Sequence, residues 1–139
     1  MKRTATAQWN GTVKGGNGTL TTQSGVLEST PYSFNSRFGD APQTNPEELI
    51  AVAHAGCFSM ALSLFLEQAG FPAETIDTKA ELTLDPAALA ITAVHLILSA
   101  KVPGVTDEAF QKIAAEAKAN CPVSKVLKAE ITLDAKLQS

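Results

Sequence analysis

The chain has 139 residues, 45% of them hydrophobic and 18% charged, with a formal net charge of −3. That length supports one domain with its own core, and an acidic balance without any basic run argues against a nucleic-acid partner. Met1-Lys2-Arg3-Thr4-Ala5-Thr6 has no apolar signal segment behind it, so the expected location is the cytoplasm. The two cysteines, Cys57 and Cys121, form neither a CxxC nor a metal motif. In a cytoplasmic chain a permanent disulfide is not expected. Counting alone favours two buried small hydrophobes, with a redox pair brought together by the fold as the sharper reading.

Residues 3–11 alternate, Ala5, Ala7 and Trp9 against Thr4, Thr6 and Gln8, which predicts a half-buried strand. Asn10-Gly11 and Gly15-Gly16-Asn17-Gly18 supply turn chemistry, and Thr19-Leu20-Thr21-Thr22 predicts a second strand closing a hairpin. The glycine run is not a phosphate loop: it lacks the GxxxxGK[ST] pattern and leads into a strand. Ser24-Gly25 breaks that strand. Tyr32-Ser33-Phe34-Asn35-Ser36-Arg37-Phe38 predicts a third, and Gly39 to Asn45 a polar loop.

A long helix follows. Asn45 suits the N-cap, Pro46 the first helical position, and Glu48 the reciprocal half of a capping box. From Leu49 to Leu66 only His54, Gly56, Ser59 and Ser63 are not apolar, a composition that predicts burial on every side. A membrane span is the rival reading. The run is near the lower length limit for one, has Glu47, Glu48 and Glu67 at its ends, and lacks Lys or Arg flanks, which favours the central helix of a soluble protein. Gly70, with Pro72 beyond, predicts its end.

Ala80, Leu82 and Leu84 alternate with Lys79, Glu81, Thr83 and Asp85 in a strand over residues 75–85. Ile91 to Val102 predicts a long strand with Val94, Leu96, Leu98 and Ala100 on its most apolar face. Thr106, followed by Asp107 and Glu108, starts a helix with an inward stripe of Phe110, Ile113, Ala114 and Ala117. Asn120-Cys121-Pro122 interrupts it, and Pro122 opens a short helix to about Lys128. Ala129 to Leu137 predicts a final strand. Three strands, a helix, two strands, a helix and a strand indicate an α+β chain, 1–139 as a single domain, with largely antiparallel sheet. One small sheet covers one side of a helix about 30 Å long, so a second copy is expected to cover the rest, in a homodimer with paired central helices.

For chemistry, Cys57 needs a cation, because burial alone raises a thiol's pKa. Arg37, one of only two arginines, would supply a fixed charge if placed beside it; a surface strand position is the plainer alternative. Glu47 has no part in the capping box and can hold Arg37 by charge-assisted hydrogen bonds, or simply favour the helix dipole. Ten residues of helix separate Glu47 from Cys57 by about 15 Å. Glu47 therefore acts through Arg37, comes from a partner subunit, or lies on a bent helix. Cys121, at the possible start of a short helix, is as good a nucleophile on local physics as Cys57. His54, one turn before Cys57, invites a Cys–His pair, but a packed core histidine is the preferred reading. His95 receives no role.

Asn45-Pro46-Glu47-Glu48-Leu49, Ala53-His54-Ala55-Gly56-Cys57-Phe58-Ser59-Met60-Ala61-Leu62 and Asn120-Cys121-Pro122-Val123-Ser124 together resemble the OsmC/Ohr family of thiol peroxidases. Gly25-Val26-Leu27, Tyr32 to Phe38 and Leu127-Lys128-Ala129-Glu130-Ile131-Thr132-Leu133 resemble its OsmC branch, the osmotically inducible protein C group. The resemblance spans essentially the whole chain. It implies an intertwined homodimer in which antiparallel sheet wraps long buried central helices, with two sites at the interface. It further implies Cys57 as the peroxidatic cysteine, Cys121 as the resolving one, and Arg37 and Glu47 as the pair that activates the thiolate. Gly56 stands where relatives often carry alanine. The implied reaction is reduction of hydroperoxides, organic ones better than hydrogen peroxide, in a response to oxidative or osmotic stress. An external dithiol or lipoylated protein restores the thiols, and no metal, haem, flavin or other cofactor is required. A non-catalytic apolar-ligand carrier and a redox sensor using the same cavity are the alternatives.

Overall fold

The computed structural model describes residues 1–139. The elements run β1 (Ala5–Asn10), β2 (Asn17–Thr22), β3 (Thr30–Tyr32), α1 (Phe34–Phe38), α2 (Pro46–Gln68), β4 (Thr75–Asp85), β5 (Ala90–Lys101), α3 (Asp107–Asn120), α4 (Pro122–Val126) and β6 (Glu130–Gln138). They fall into two units, Met1–Leu49 and Ile50–Ser139.

In the first unit β1, β2 and β3 form an antiparallel sheet in that order. The expected hairpin is present, but β1 is not half-buried: of its residues only Trp9 is partly covered. Gly18 pairs with both Trp9 and Tyr32, whose rings lean together over it with centroids 5.4 Å apart. A Cβ on Gly18 would lie 2.4 Å from Tyr32 and 2.6 Å from Trp9, so only glycine admits this aromatic pair.

The strand expected over Tyr32–Phe38 is replaced after Tyr32 by the helix α1. Ser33 and Ser36 form a reciprocal capping box, each side chain accepting the other's backbone N–H at 3.1 and 2.9 Å. Phe34 and Phe38 are apolar at a spacing of four, which reads as alternation in a strand but puts both on one face of a helix. Their centroids are 4.9 Å apart. The cap decides between two patterns that hydrophobicity leaves equal. Asn45 accepts the Glu48 N–H at 2.8 Å, as expected of the α2 N-cap. The reciprocal bond is not made; the Glu48 carboxylate accepts instead from the Thr44 hydroxyl at 3.3 Å.

In the second unit β4 and β5 are antiparallel while β5 and β6 are parallel. The single, largely antiparallel sheet expected from sequence is therefore two three-stranded sheets, one with a parallel pair. The cause is the connection: β6 is reached through α3 and α4, and a crossover of that kind returns the chain in the same direction. Register lines up apolar rows across one face, Leu82–Val94–Ile131, Ala80–Leu96–Leu133 and Ile76–Ala100–Leu137. Phe58, Leu62 and Leu66 of α2, with Phe110, Ala114 and Ala117 of α3, complete this core.

The prediction that α2 is buried on every side does not hold for one copy of the chain. Its buried residues are His54, Phe58, Leu62 and Leu66, a stripe four residues apart. Val52, Met60 and Leu64 remain 64%, 79% and 50% exposed. The C-terminus closes as expected, with Gly70 at φ +87°. Its N–H donates to Glu67 O at 3.0 Å, and the Phe71 N–H donates to Leu66 O at 2.8 Å, the bonds that satisfy the last helical carbonyls.

Candidate active site

Cys57 sits on α2, half-buried, against the core of the second unit; Cys121 is wholly buried, and both thiols are free. Cys121 ends α3 and begins α4, with φ −58° and ψ 126°. Pro122 forces that break, since the residue before a proline avoids helical geometry. Burial, the neighbouring Cys121 and the backbone of Val123 all act on the Cys57 thiol. Burial pushes its pKa up most, a hydrogen bond with the Cys121 thiol pushes the same way, and the backbone N–H of Val123 draws it down. Val123 is the second residue of α4, where an N–H has no partner inside its own helix and is free to donate elsewhere. Sequence reasoning assigned the start of this short helix to Cys121. The Val123 N–H at that helix start instead acts to lower the pKa of Cys57.

His54 lies one turn before Cys57 and is wholly buried. Its Nε2 is 2.8 Å from Ser124 Oγ, and its Nδ1 has no hydrogen-bond partner. Burial lowers its pKa, which holds the imidazole neutral at physiological pH. Its one hydrogen bond goes to Ser124, so the preferred reading of a packed core histidine stands over a Cys–His pair. Ser124 was not singled out from sequence.

In the first unit Arg37 meets Glu47. Its Nε donates to both carboxylate oxygens, at 3.2 and 3.3 Å, and its Nη2 donates to Oε1 at 2.5 Å. The Glu47 side chain is 13% exposed and that of Arg37 36%. The hydrogen bond to Glu47 raises the Arg37 pKa above its already high ordinary value, so the guanidinium is a permanent charge. Asn45 Nδ2 donates to Ser36 O at 2.8 Å and ties α1 to the start of α2, which fixes the distance the ion pair spans. Arg37 also lies over the Phe38 ring, 5.2 Å from its centroid. It borders a cleft of about 240 Å³ lined by Trp9, Tyr32, Phe34 and Phe38. None of these four rings was assigned a site role from sequence; Phe34 and Phe38 were read as part of a strand, and Trp9 and Tyr32 meet them only in the folded unit.

A family model described as OsmC-like protein matches residues 39–136. The peroxiredoxin OsmC of Escherichia coli (strain K12) is 55% identical over 135 residues, covering 96% of this chain and 94% of that protein. The chain belongs to the OsmC family. Among solved structures, an organic hydroperoxide resistance protein from Elizabethkingia anophelis is 26% identical, with a TM-score of 0.72 and 99% of each chain covered. An OsmC-like protein from Mycoplasma pneumoniae, at 12% identity, has a TM-score of 0.76 over 100% of this chain and 99% of that one. The OsmC-like α+β fold implied by the sequence resemblance is thus present. Glu47, Cys57 and Cys121 fall inside the matched OsmC region, and Arg37 stands just ahead of it. At Gly56, an alanine Cβ would meet nothing within 4 Å, so a single copy has room for an alanine there.

Proposed function

We propose that this OsmC-family chain is a thiol-dependent hydroperoxide reductase that works as a cytoplasmic homodimer, each chain acting as one OsmC-like domain. The single observation that carries the reading is that Cys57 packs against the buried cluster holding Cys121, near enough for the Cys121 thiol to raise the Cys57 pKa. Two cysteines far apart in sequence are held in contact, with one of them less buried than the other. The curated relative at 55% identity is named a peroxiredoxin, and the Elizabethkingia structure an organic hydroperoxide resistance protein.

Cys57, the less buried thiol, is the peroxidatic residue. Its thiolate attacks the distal oxygen of a hydroperoxide, the O–O bond breaks, and the alcohol leaves after taking a proton. Cys57 is then a sulfenic acid. The Cys121 thiol attacks that sulfur, expels water and closes a disulfide. An external dithiol, or a lipoylated protein, reduces the bond by exchange and carries away the two electrons.

Burial leaves the Cys57 thiol reluctant to ionise, so the reaction requires a cation. Arg37 is assigned that part and Glu47 the task of orienting it, since a guanidinium gripped through two nitrogens presents its charge in one direction. The aromatic cleft beside Arg37 suits an organic group better than hydrogen peroxide. The exposed Val52, Met60 and Leu64 of α2 support the homodimer: large apolar side chains left open on a core helix suit an unfilled contact.

The test is peroxide consumption with cumene hydroperoxide and a dithiol, with free thiols counted before and after. Replacing Cys57 with Ser should abolish consumption. Replacing Cys121 with Ser should permit the first step and stop disulfide formation. A protein that keeps both thiols under peroxide is a carrier, and one that oxidises without turnover is a sensor; either result refutes the enzyme.

A further inference from the structure

α4 has only five residues and cannot hold its position by its own hydrogen bonds. It nonetheless carries two groups that Cys57 needs in register, the Cys121 thiol at its cap and the Val123 N–H in its first turn. Its next residue, Ser124, is hydrogen-bonded to His54 of α2 at 2.8 Å, and His54 is one turn from Cys57 on the same helix. Ser124 and the two groups thus occupy one turn of chain, and His54 and Cys57 another.

Resting on the peroxidase reading, we propose that His54 and Ser124 are positioning residues for disulfide formation. Their hydrogen bond clamps the first turn of α4 onto α2, so that the Val123 N–H stays on Cys57 and Cys121 stays in line to attack the sulfenic acid. His54 suits this task because it is wholly buried and spends its only hydrogen bond on Ser124. The imidazole is a rigid two-ring-nitrogen spacer, and the tautomer with the proton on Nε2 donates to Ser124 while leaving Nδ1 a bare lone pair. An orphaned buried N–H would cost more than an unfilled acceptor. His54 takes no proton from Cys57 in this role.

The step in question conserves atoms as follows. Cys121 loses its thiol proton, its sulfur bonds to the Cys57 sulfur, and the sulfenic oxygen leaves as water. A clamp accelerates it by holding two groups already in contact. Peroxide attack by Cys57 depends on the clamp only through the Val123 N–H.

The experiment compares wild type, Ser124→Ala, Ser124→Thr and His54→Leu. In single-turnover reactions with cumene hydroperoxide, dimedone traps the sulfenic acid, and the rate of disulfide closure is read from its disappearance. Ser124→Ala should slow closure by about three- to tenfold, the worth of one hydrogen bond, and prolong dimedone trapping. Ser124→Thr, which keeps the hydroxyl, should restore closure. His54→Leu, which removes the ring nitrogens at similar volume, gives an independent break of the same contact. A second readout needs no peroxide: the pH profile of Cys57 alkylation in a Cys121→Ser background should move upward when Ser124 becomes Ala, as the Val123 N–H loosens. Wild-type closure and an unmoved alkylation profile in both Ser124→Ala and His54→Leu overturn the clamp. A wild-type protein that never forms a trappable sulfenic acid refutes the peroxidase reading instead, and the alkylation profile still decides the clamp.

Discussion

Met60 is the sharpest probe of the assembly. It lies on α2 and is 79% exposed in a single chain, so nothing in the chain's own core depends on it. Fully burying a side chain of this size is worth about 1.5–3 kcal/mol. Covering the exposed part of Met60 is then worth about 1–2 kcal/mol per protomer, and about 2–4 kcal/mol across a two-fold interface in which every residue counts twice. Val52 and Leu64 bring the three positions to about 6–12 kcal/mol for the pair, a scale that matters against the roughly 8–12 kcal/mol of a micromolar to nanomolar dimer. Met60→Asp removes the Met60 share and buries two like carboxylates. The dissociation constant should rise by at least about 100-fold. Sedimentation velocity over a dilution series through the micromolar range reads this directly, and far-UV circular dichroism should show unchanged helix content in the separated chain. A wild type that sediments as a monomer throughout, or a Met60→Asp variant that dimerises as tightly as wild type, refutes the argument that α2 awaits a second copy.

Arg37→Ala should raise the Cys57 thiol pKa in the assembled protein and slow the reaction with cumene hydroperoxide at neutral pH by at least about tenfold. Arg37→Lys should recover little of it, because an ammonium cannot fork onto both Glu47 oxygens; an unchanged thiol pKa in Arg37→Ala removes the arginine from thiolate activation. Burial holds His54 below its ordinary 6.5, so the unfolded chain takes up that proton first as pH falls. The contribution is fully present above about pH 6.5 and is lost as pH drops toward the folded-state value. Urea midpoints between pH 7.5 and 5 should decline, less so in His54→Gln, and equal slopes in the two proteins would contradict the assignment. Phe58→Ala, at a wholly buried core position, should cost about 3–5 kcal/mol in urea unfolding; a loss under about 1 kcal/mol would mean that the α2 stripe is not the keel of the second unit.

Periodicity and caps were enough for most elements. Asn45-Pro46 and Gly70 mark α2, Thr106 marks α3, and the alternation along β4, β5 and β6 identifies the apolar rows that form the core, because these signals act over a few residues and do not depend on what lies opposite. The family was likewise legible in motifs. Other features required distant partners. Phe34 and Phe38 satisfy a strand and a helix equally, and the Ser33–Ser36 cap settled it. The direction of β6 follows from the path through α3 and α4. The apolar content of α2 says that it must be covered but not by what, and a single chain covers only its His54–Leu66 stripe. Least visible of all was the Val123 N–H on Cys57 with the His54–Ser124 bond beside it. A backbone donor has no side-chain signature, and the contact joins residues about 70 positions apart that meet only when the core has formed.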